Sequence, residues 1–367
     1  MSFVNAVLQL LVHSPPLWNL FRELGNLTGQ RGAGGAETAG GATPLVDATA
    51  RFFEEFIIKG EPPPTQQTAS GKQREDEEAK KEDKVVDPFE PTYMYDAMKE
   101  KRQLNNLLDG QQQDAEEFFR LYLDALDEEL LTLSASIGGR KLATAAPEVE
   151  EREVSQSGLT DVRKQGFMVL ESPLMRIFRG KFRSTVRAPK QPDTVSVEDW
   201  QLLQLDIEHD SVHSIEDALA RISHLRPVRL GPSGLSEASQ QVLIDALPPV
   251  LVLHLKRFLY DVSDGIVKIS KPVQFAPELE IPPEIMAPVA GKSAEPVHYM
   301  LYGVLYHHGE SPGTGHYTVD VLHPNGDGSE KAWLHIDDEA VGAVRPEDVF
   351  GNERVDDRCA YMLFYRR

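Results

Sequence analysis

Two side chains near the C-terminal end have the types and spacing for acid–base work. His316 opens the alternating run Gly315-His316-Tyr317-Thr318-Val319-Asp320-Val321, and Asp337 closes another, Ala332-Trp333-Leu334-His335-Ile336-Asp337, with Asp338 next to it. Period-two alternation predicts strands, and Asn325-Gly326-Asp327-Gly328 predicts the turn that folds one back on the other. A histidine at the mouth of one strand then lies beside an aspartate at the end of the next. That is the base and orienter of a nucleophilic hydrolase. A histidine on a strand is more often structural, and the pair by itself leaves both readings open. Gly309, Gly313 and Gly315 tilt the balance, because a loop without side chains lets a substrate backbone approach closely.

The elements that must hold these residues change character along the chain. Phe3–Val12 is apolar on every side and predicts a buried helix that stops near Ser14-Pro15-Pro16. Leu45–Ile58 predicts a second helix. Asp109–Leu133 predicts the longest, with Phe118, Leu121, Tyr122, Ala125 and Leu126 on one face and Asp114 with Glu117 as a capping box. Three stretches, Gln30–Pro44, Glu61–Asp87 and Gly138–Lys164, are too polar or too rich in small residues to pack and predict disordered insertions. From about Gln165 the period becomes two. Leu174–Val186, Trp200–Ile207, Val242–Ala246 and Val250–Phe258 predict strands, Ser214 caps a helix over Ile215–Leu219, and Cys359–Tyr365 predicts a last buried strand. Helices first and a mostly antiparallel sheet afterwards give an α+β class.

Composition narrows the function. The chain has 367 residues, 41% of them hydrophobic, and a formal net charge of −20. Such acidity disfavours nucleic acid and favours a partner with a basic surface. The single cysteine, Cys359, excludes an internal disulfide framework and a four-cysteine zinc site. A reducing setting follows, cytoplasmic or nuclear. No run of apolar residues is long enough to span a membrane, and no signal peptide is evident.

Four separated blocks resemble the ubiquitin-specific proteases, papain-like cysteine peptidases that remove ubiquitin. Ser2-Phe3-Val4-Asn5-Ala6-Val7-Leu8-Gln9-Leu10-Leu11 resembles their nucleophile box. Gln112-Gln113-Asp114-Ala115-Glu116-Glu117-Phe118 resembles a second block, and Leu247-Pro248-Pro249-Val250-Leu251-Val252-Leu253-His254-Leu255-Lys256-Arg257-Phe258 a third. Tyr302-Gly303-Val304 through His307, Gly309, Gly315-His316-Tyr317 and on to Trp333, Ile336-Asp337-Asp338 and Val341 resembles the histidine box. The blocks occur in family order and span the chain.

The resemblance implies a single catalytic domain over residues 1–367. A helical thumb would occupy about 1–165, β fingers mainly 166–250, and an antiparallel palm with the histidine box mainly 251–367. It implies ubiquitin and ubiquitinated proteins as partners and no cofactor. His316 would be the general base, Asp337 its orienter with Asp338 beside it. Gln112, Asp114, Gly315 and Tyr317 would meet the arginine-bearing, Gly-Gly-ended tail of ubiquitin. The reaction would be attack on the last glycine's carbonyl, an acyl-enzyme, then hydrolysis.

Two departures stand out. The zinc-binding cysteine pairs of the family's fingers are missing from the loops near Arg187–Thr194 and Gly231–Ser239, which implies fingers without metal. More consequentially, Ser2 occupies the position of the nucleophilic cysteine, and the asparagines that the family carries just upstream would precede Met1. A helix N-terminus and an imidazolium stabilise a thiolate far more readily than a serine alkoxide. Loss of an oxyanion donor alone costs roughly 10²–10³ in rate. A truncated N-terminus, an engineered substitution and a natural pseudoenzyme that binds ubiquitin without cleaving it all stay open. An upstream region, where one exists, would be the place to recruit an accessory protein. An unrelated serine hydrolase using Ser2, His316 and Asp337 is disfavoured because Ser2 lacks the G-x-S-x-G elbow.

Overall fold

A computed structural model describes residues 1–32, 43–57, 89–108, 113–136, 154–155, 158–159, 171–189, 191–230, 236–261, 263, 265–288, 296–311, 314–323, 332–350 and 358–367. The first half is helical: α1 (Ser2–Val12), α2 (Pro15–Gly32), α3 (Pro44–Ile57), α4 (Thr92–Lys99), α5 (Arg102–Leu107) and α6 (Ala115–Ser136). α1 is buried nearly all round, as its uninterrupted apolar sequence requires. Its partner α2 starts on Pro15, a residue whose fixed φ suits the first helical turn. The double proline therefore both stops one helix and starts the next, and sequence periodicity gave no notice of α2. Gln30 lies in α2 and Pro44 opens α3, so the first expected insertion is shorter than Gln30–Pro44. Its interior, all of Glu61–Asp87 and most of Gly138–Lys164 lie outside the described residues. Within the last of these, β1 (Val154–Ser155) pairs with β2 (Gly158–Leu159).

The second half is built of strands with short helices between them: α7 (Met175–Phe178), β3 (Gly180–Arg187), β4 (Thr194–Trp200), β5 (Leu203–Leu205), α8 (Ile215–Ala220), β6 (Arg226–Leu230) and β7 (Ser236–Ala246). There follow β8 (Val250–Leu255), β9 (Phe258–Asp261), β10 (Gly265–Lys268), β11 (Glu278–Ile281), β12 (Val297–His308), β13 (His316–His323), β14 (Ala332–Asp337), β15 (Ala340–Val344), α9 (Pro346–Phe350) and β16 (Cys359–Arg366). Three sequence expectations are corrected here, one being Val250–Phe258, which breaks at Lys256-Arg257 into β8 and the start of β9. Leu174–Val186 is not one strand, because Ser172 Oγ accepts the Met175 N–H and starts a helical turn before β3. Trp200–Ile207 is divided between the end of β4 and the separate β5. The capped start at Ser214 is a full capping box with Asp217.

Among the described residues the strands form two main sheets. β4-β3-β7-β6 is antiparallel, and Trp200 packs its indole into the space that a Cβ on Gly180 would occupy. The larger sheet runs β15-β14-β13-β12-β16-β8-β5, with β11 on β12. β8 and β5 are parallel, so this sheet is mixed rather than purely antiparallel. Its two faces are both covered. Leu305, Tyr317, Val319, Ile336 and Phe364 join the core of α1–α7, whereas Val304, Tyr306, Leu253, Leu363 and Tyr365 join a second core with α8 and β11. The architecture is α+β, with the helical half laid against one face of the large sheet.

Candidate active site

α1 crosses the large sheet at Gly303, where an added Cβ would collide with Leu10 Cδ2. That close approach brings the N-terminal turn of α1 to the start of β13. Ser2 is buried, and its Oγ accepts the main-chain N–H of Tyr317 at 3.2 Å. His316, the preceding residue, directs Nε2 at Asp337 Oδ1 over 2.6 Å. Both side chains of this pair are close to half exposed, whereas Ser2 is buried. With Nε2 engaged by the carboxylate, Nδ1 is the ring nitrogen left for proton transfer.

Asp338 follows in the β14–β15 turn with φ +50°, and its carbonyl accepts from Asn5 Nδ2 at 3.2 Å. Asn5 thereby ties α1 to the turn that carries Asp337. His316, Asp337 and Asp338 bring one ligand atom each to within 4.8 Å of one another, close enough to hold a cation. The 2.6 Å histidine–carboxylate bond gives the first two a catalytic arrangement without one.

The other expected residues are distributed differently. Asp114 lies just before α6 and accepts from the Glu116 N–H at 2.8 Å, so it is a helix cap. It also takes the Tyr361 hydroxyl on both carboxylate oxygens, each at 2.8 Å. Burial raises its carboxyl above the ordinary value, against those hydrogen bonds, which pull it down. Tyr361 comes from β16, 247 positions away, and nothing in the sequence marks it as a partner of Asp114. Gln112 lies outside the described residues.

Gly315 has an internal reason to be glycine, since a Cβ there would run into His307 Nε2 and the His308 carbonyl. Tyr317 turns its side chain inward. The ring is buried against His307, and its hydroxyl accepts the Ala115 N–H at 3.4 Å.

Around this centre β12 and β13 carry polar side chains that sequence reasoning passed over. His308 Nε2 meets Thr318 Oγ1 at 2.9 Å, and burial followed by the nearby His316 lowers its pKa. A second histidine–carboxylate pair joins His335 Nδ1 to the fully buried Asp320 at 2.6 Å, with Arg358 3.7 Å from the other oxygen. The Asp320↔His335 cross-strand register made this pair visible in principle. The weaker alternation of two charged residues among apolar ones concealed it.

The geometry can be compared with known proteins. The family model described as ubiquitin carboxyl-terminal hydrolase matches residues 1–365. The probable ubiquitin carboxyl-terminal hydrolase 3 of Schizosaccharomyces pombe is 32% identical over 401 residues, covering 100% of this chain and 72% of its own length. Ubiquitin carboxyl-terminal hydrolase 10 of Gallus gallus is 32% identical over 395 residues, and the chain spans only 47% of its length. Among solved structures, the SAGA Ubp8/Sgf11/Sus1/Sgf73 DUB module bound to ubiquitin aldehyde superposes with TM-score 0.64 at 18% identity, covering 100% of this chain and 67% of the other. That likeness is one of fold. The match over nearly the whole length and these relatives establish that the chain belongs to the ubiquitin carboxyl-terminal hydrolase family.

Proposed function

We propose that this chain receives the C-terminal tail of ubiquitin between its helical half and the large sheet, and that the site is of the deubiquitinase type. The observation that carries the reading is the His316–Asp337 pair of β13 and β14 in a family member, with Ser2 of α1 bonded to the main chain of the next residue, Tyr317. In the thiol chemistry of the family, a cysteine at position 2 would be ionised by His316 and by the N-terminal end of α1. Asp337 would fix the ring so that Nδ1 takes the proton and later returns it to the leaving amine. Asp114 lies at the N-terminus of α6, where a carboxylate can face the arginines of the tail. Its bonds to Tyr361 hold it in one orientation for that contact.

Ser2 supports a second reading, that the chain as it stands binds ubiquitin and turns it over poorly. A hydroxyl is far less acidic than a thiol, so the same histidine and helix end activate it much less. Calorimetric titration with ubiquitin, alongside hydrolysis of a fluorogenic ubiquitin amide, tests both parts. Binding with negligible turnover is expected. Robust turnover with Ser2 in place would overturn the second reading, and no binding would overturn the first.

A further inference from the structure

α1 and β13 hold Ser2 and His316 at their starting ends, and their far ends are joined by a different pair. His13 caps the C-terminus of α1 and His323 is the last residue of β13. His13 Nε2 and His323 Nδ1 stand 3.1 Å apart although the residues are separated by 310 positions. The rings meet edge to face, with centroids 5.2 Å apart.

The first ring's tautomer follows from its surroundings. His13 Nδ1 is 2.7 Å from the Gln9 carbonyl oxygen, which can only accept, so Nδ1 carries the proton and Nε2, the nitrogen nearest His323, keeps its lone pair. Burial holds His13 at about 4 and also lowers His323, so both rings are neutral at physiological pH. Two nitrogens each roughly 2.0–2.1 Å from one zinc-sized ion stand about 2.8–3.4 Å apart, depending on whether the angle between them is square or tetrahedral. The observed 3.1 Å falls inside that range. A ring N–H donated to a backbone carbonyl is also the outer contact that orients metal-bound histidines. His323 is exposed, which leaves water free to complete the coordination.

We propose that His13 and His323 form a two-histidine site for a divalent transition cation of the zinc or copper class, which clamps the end of α1 to the end of β13. Neutral imidazoles suit these ions, and the pair brings no carboxylate of the kind that magnesium or calcium requires. On binding, the exposed His323 ring moves its proton from Nδ1 to Nε2, and Nδ1 joins His13 Nε2 on the metal. The site lies at the opposite end of β13 from His316, about 23 Å away for seven strand steps. It is unrelated to the zinc of the family's fingers, and it does not depend on the activity proposed above.

The test is titration of chelator-treated full chain with Zn²⁺ by calorimetry, with melting temperature followed in parallel. One equivalent should bind and raise the melting temperature, as for any ligand that favours the native state. His323→Ala, a change at an exposed ring, should weaken uptake by about tenfold or more, and so should His13→Asn. His316→Ala should leave uptake unchanged. Absence of uptake at millimolar Zn²⁺ would overturn the proposal, leaving the pair as an imidazole–imidazole hydrogen bond. Uptake that survives His323→Ala, or that disappears in His316→Ala, would overturn it too, the latter by assigning the ion to His316, Asp337 and Asp338.

Discussion

At the scale of single residues, position 2 decides how far the chemistry can go. Ser2 already touches the backbone beside His316, so a thiol placed there lies next to the residue that carries the base. Ser2→Cys should therefore raise hydrolysis of a fluorogenic ubiquitin amide by about tenfold or more, since the thiolate is the competent nucleophile. In that background Asp337→Ala should lower kcat with little change in KM, because it removes the orienter of His316 and no binding contact. A rise in KM alone would return Asp337 to the binding surface. Asp114 needs two readouts, because it both caps α6 and would face the ubiquitin tail. Asp114→Ala should cost about 1 kcal/mol as a lost cap, about 1–3 kcal/mol more for the Tyr361 hydroxyl left without its acceptor, and, separately, weaken ubiquitin binding by roughly tenfold as a lost charge-assisted contact. Tyr361→Phe leaves the cap in place and removes only the hydroxyl's bonds to the carboxylate, so its stability loss should be the smaller one, Asp114→Ala losing both. Unfolding curves and calorimetry on both variants check the assignment, and unchanged affinity in Asp114→Ala would leave that residue as a cap only.

At the scale of elements, the site depends on strand contacts that tolerate little change. Gly315→Ala drives a Cβ into the His308 backbone as well as the His307 ring, and backbone cannot rotate away. Overpacking of that kind costs typically about 1–3 kcal/mol, and denaturant unfolding would measure it. Asp320 is a wholly buried carboxylate held by His335 and Arg358. His335→Ala would strip it of its nearest partner, and breaking a buried pair costs about 3–5 kcal/mol. A loss below about 1 kcal/mol, the range of an exposed pair, would show that water reaches Asp320.

Much of this was legible in sequence, because apolar alternation and turn residues marked β13, β14 and β16 and brought His316 to Asp337. The helices α2, α4 and α5 were not, since α2 begins on a double proline and α4 and α5 are one or two turns long. Nor was the Tyr361–Asp114 bond, which depends on strand order. The parallel β5–β8 pairing, three residues long, left no periodic trace either.

At the scale of the whole molecule, buried histidines set the response to acid. His13 is held at about 4, and His254 and His307 at about 3, each chiefly by burial. Unfolding frees them to bind protons below their ordinary value of about 6.5. The unfolded chain then carries more protons than the native one, so stability is full above that value and is lost as pH falls towards 4. Asp114, Glu116 and Asp127 are raised by burial and act in the opposite sense, but only near and above the ordinary carboxyl range. Urea midpoints should accordingly fall between about pH 6.5 and 5, where the histidines dominate. A midpoint constant across that interval would mean that the three rings are open to solvent.

The central claim, that a ubiquitin tail is delivered to residue 2 beside an intact His316–Asp337 pair, has one direct measurement. The chain and its Ser2→Cys variant are each incubated with ubiquitin carrying a thiol-reactive electrophile at its C-terminus, and the products are mapped by mass spectrometry. The account predicts one ubiquitin joined to the position-2 thiol of the variant, none joined to the unaltered chain, and Cys359 untouched in both. A variant that stays unlabelled, or labelling that falls on Cys359, would contradict it.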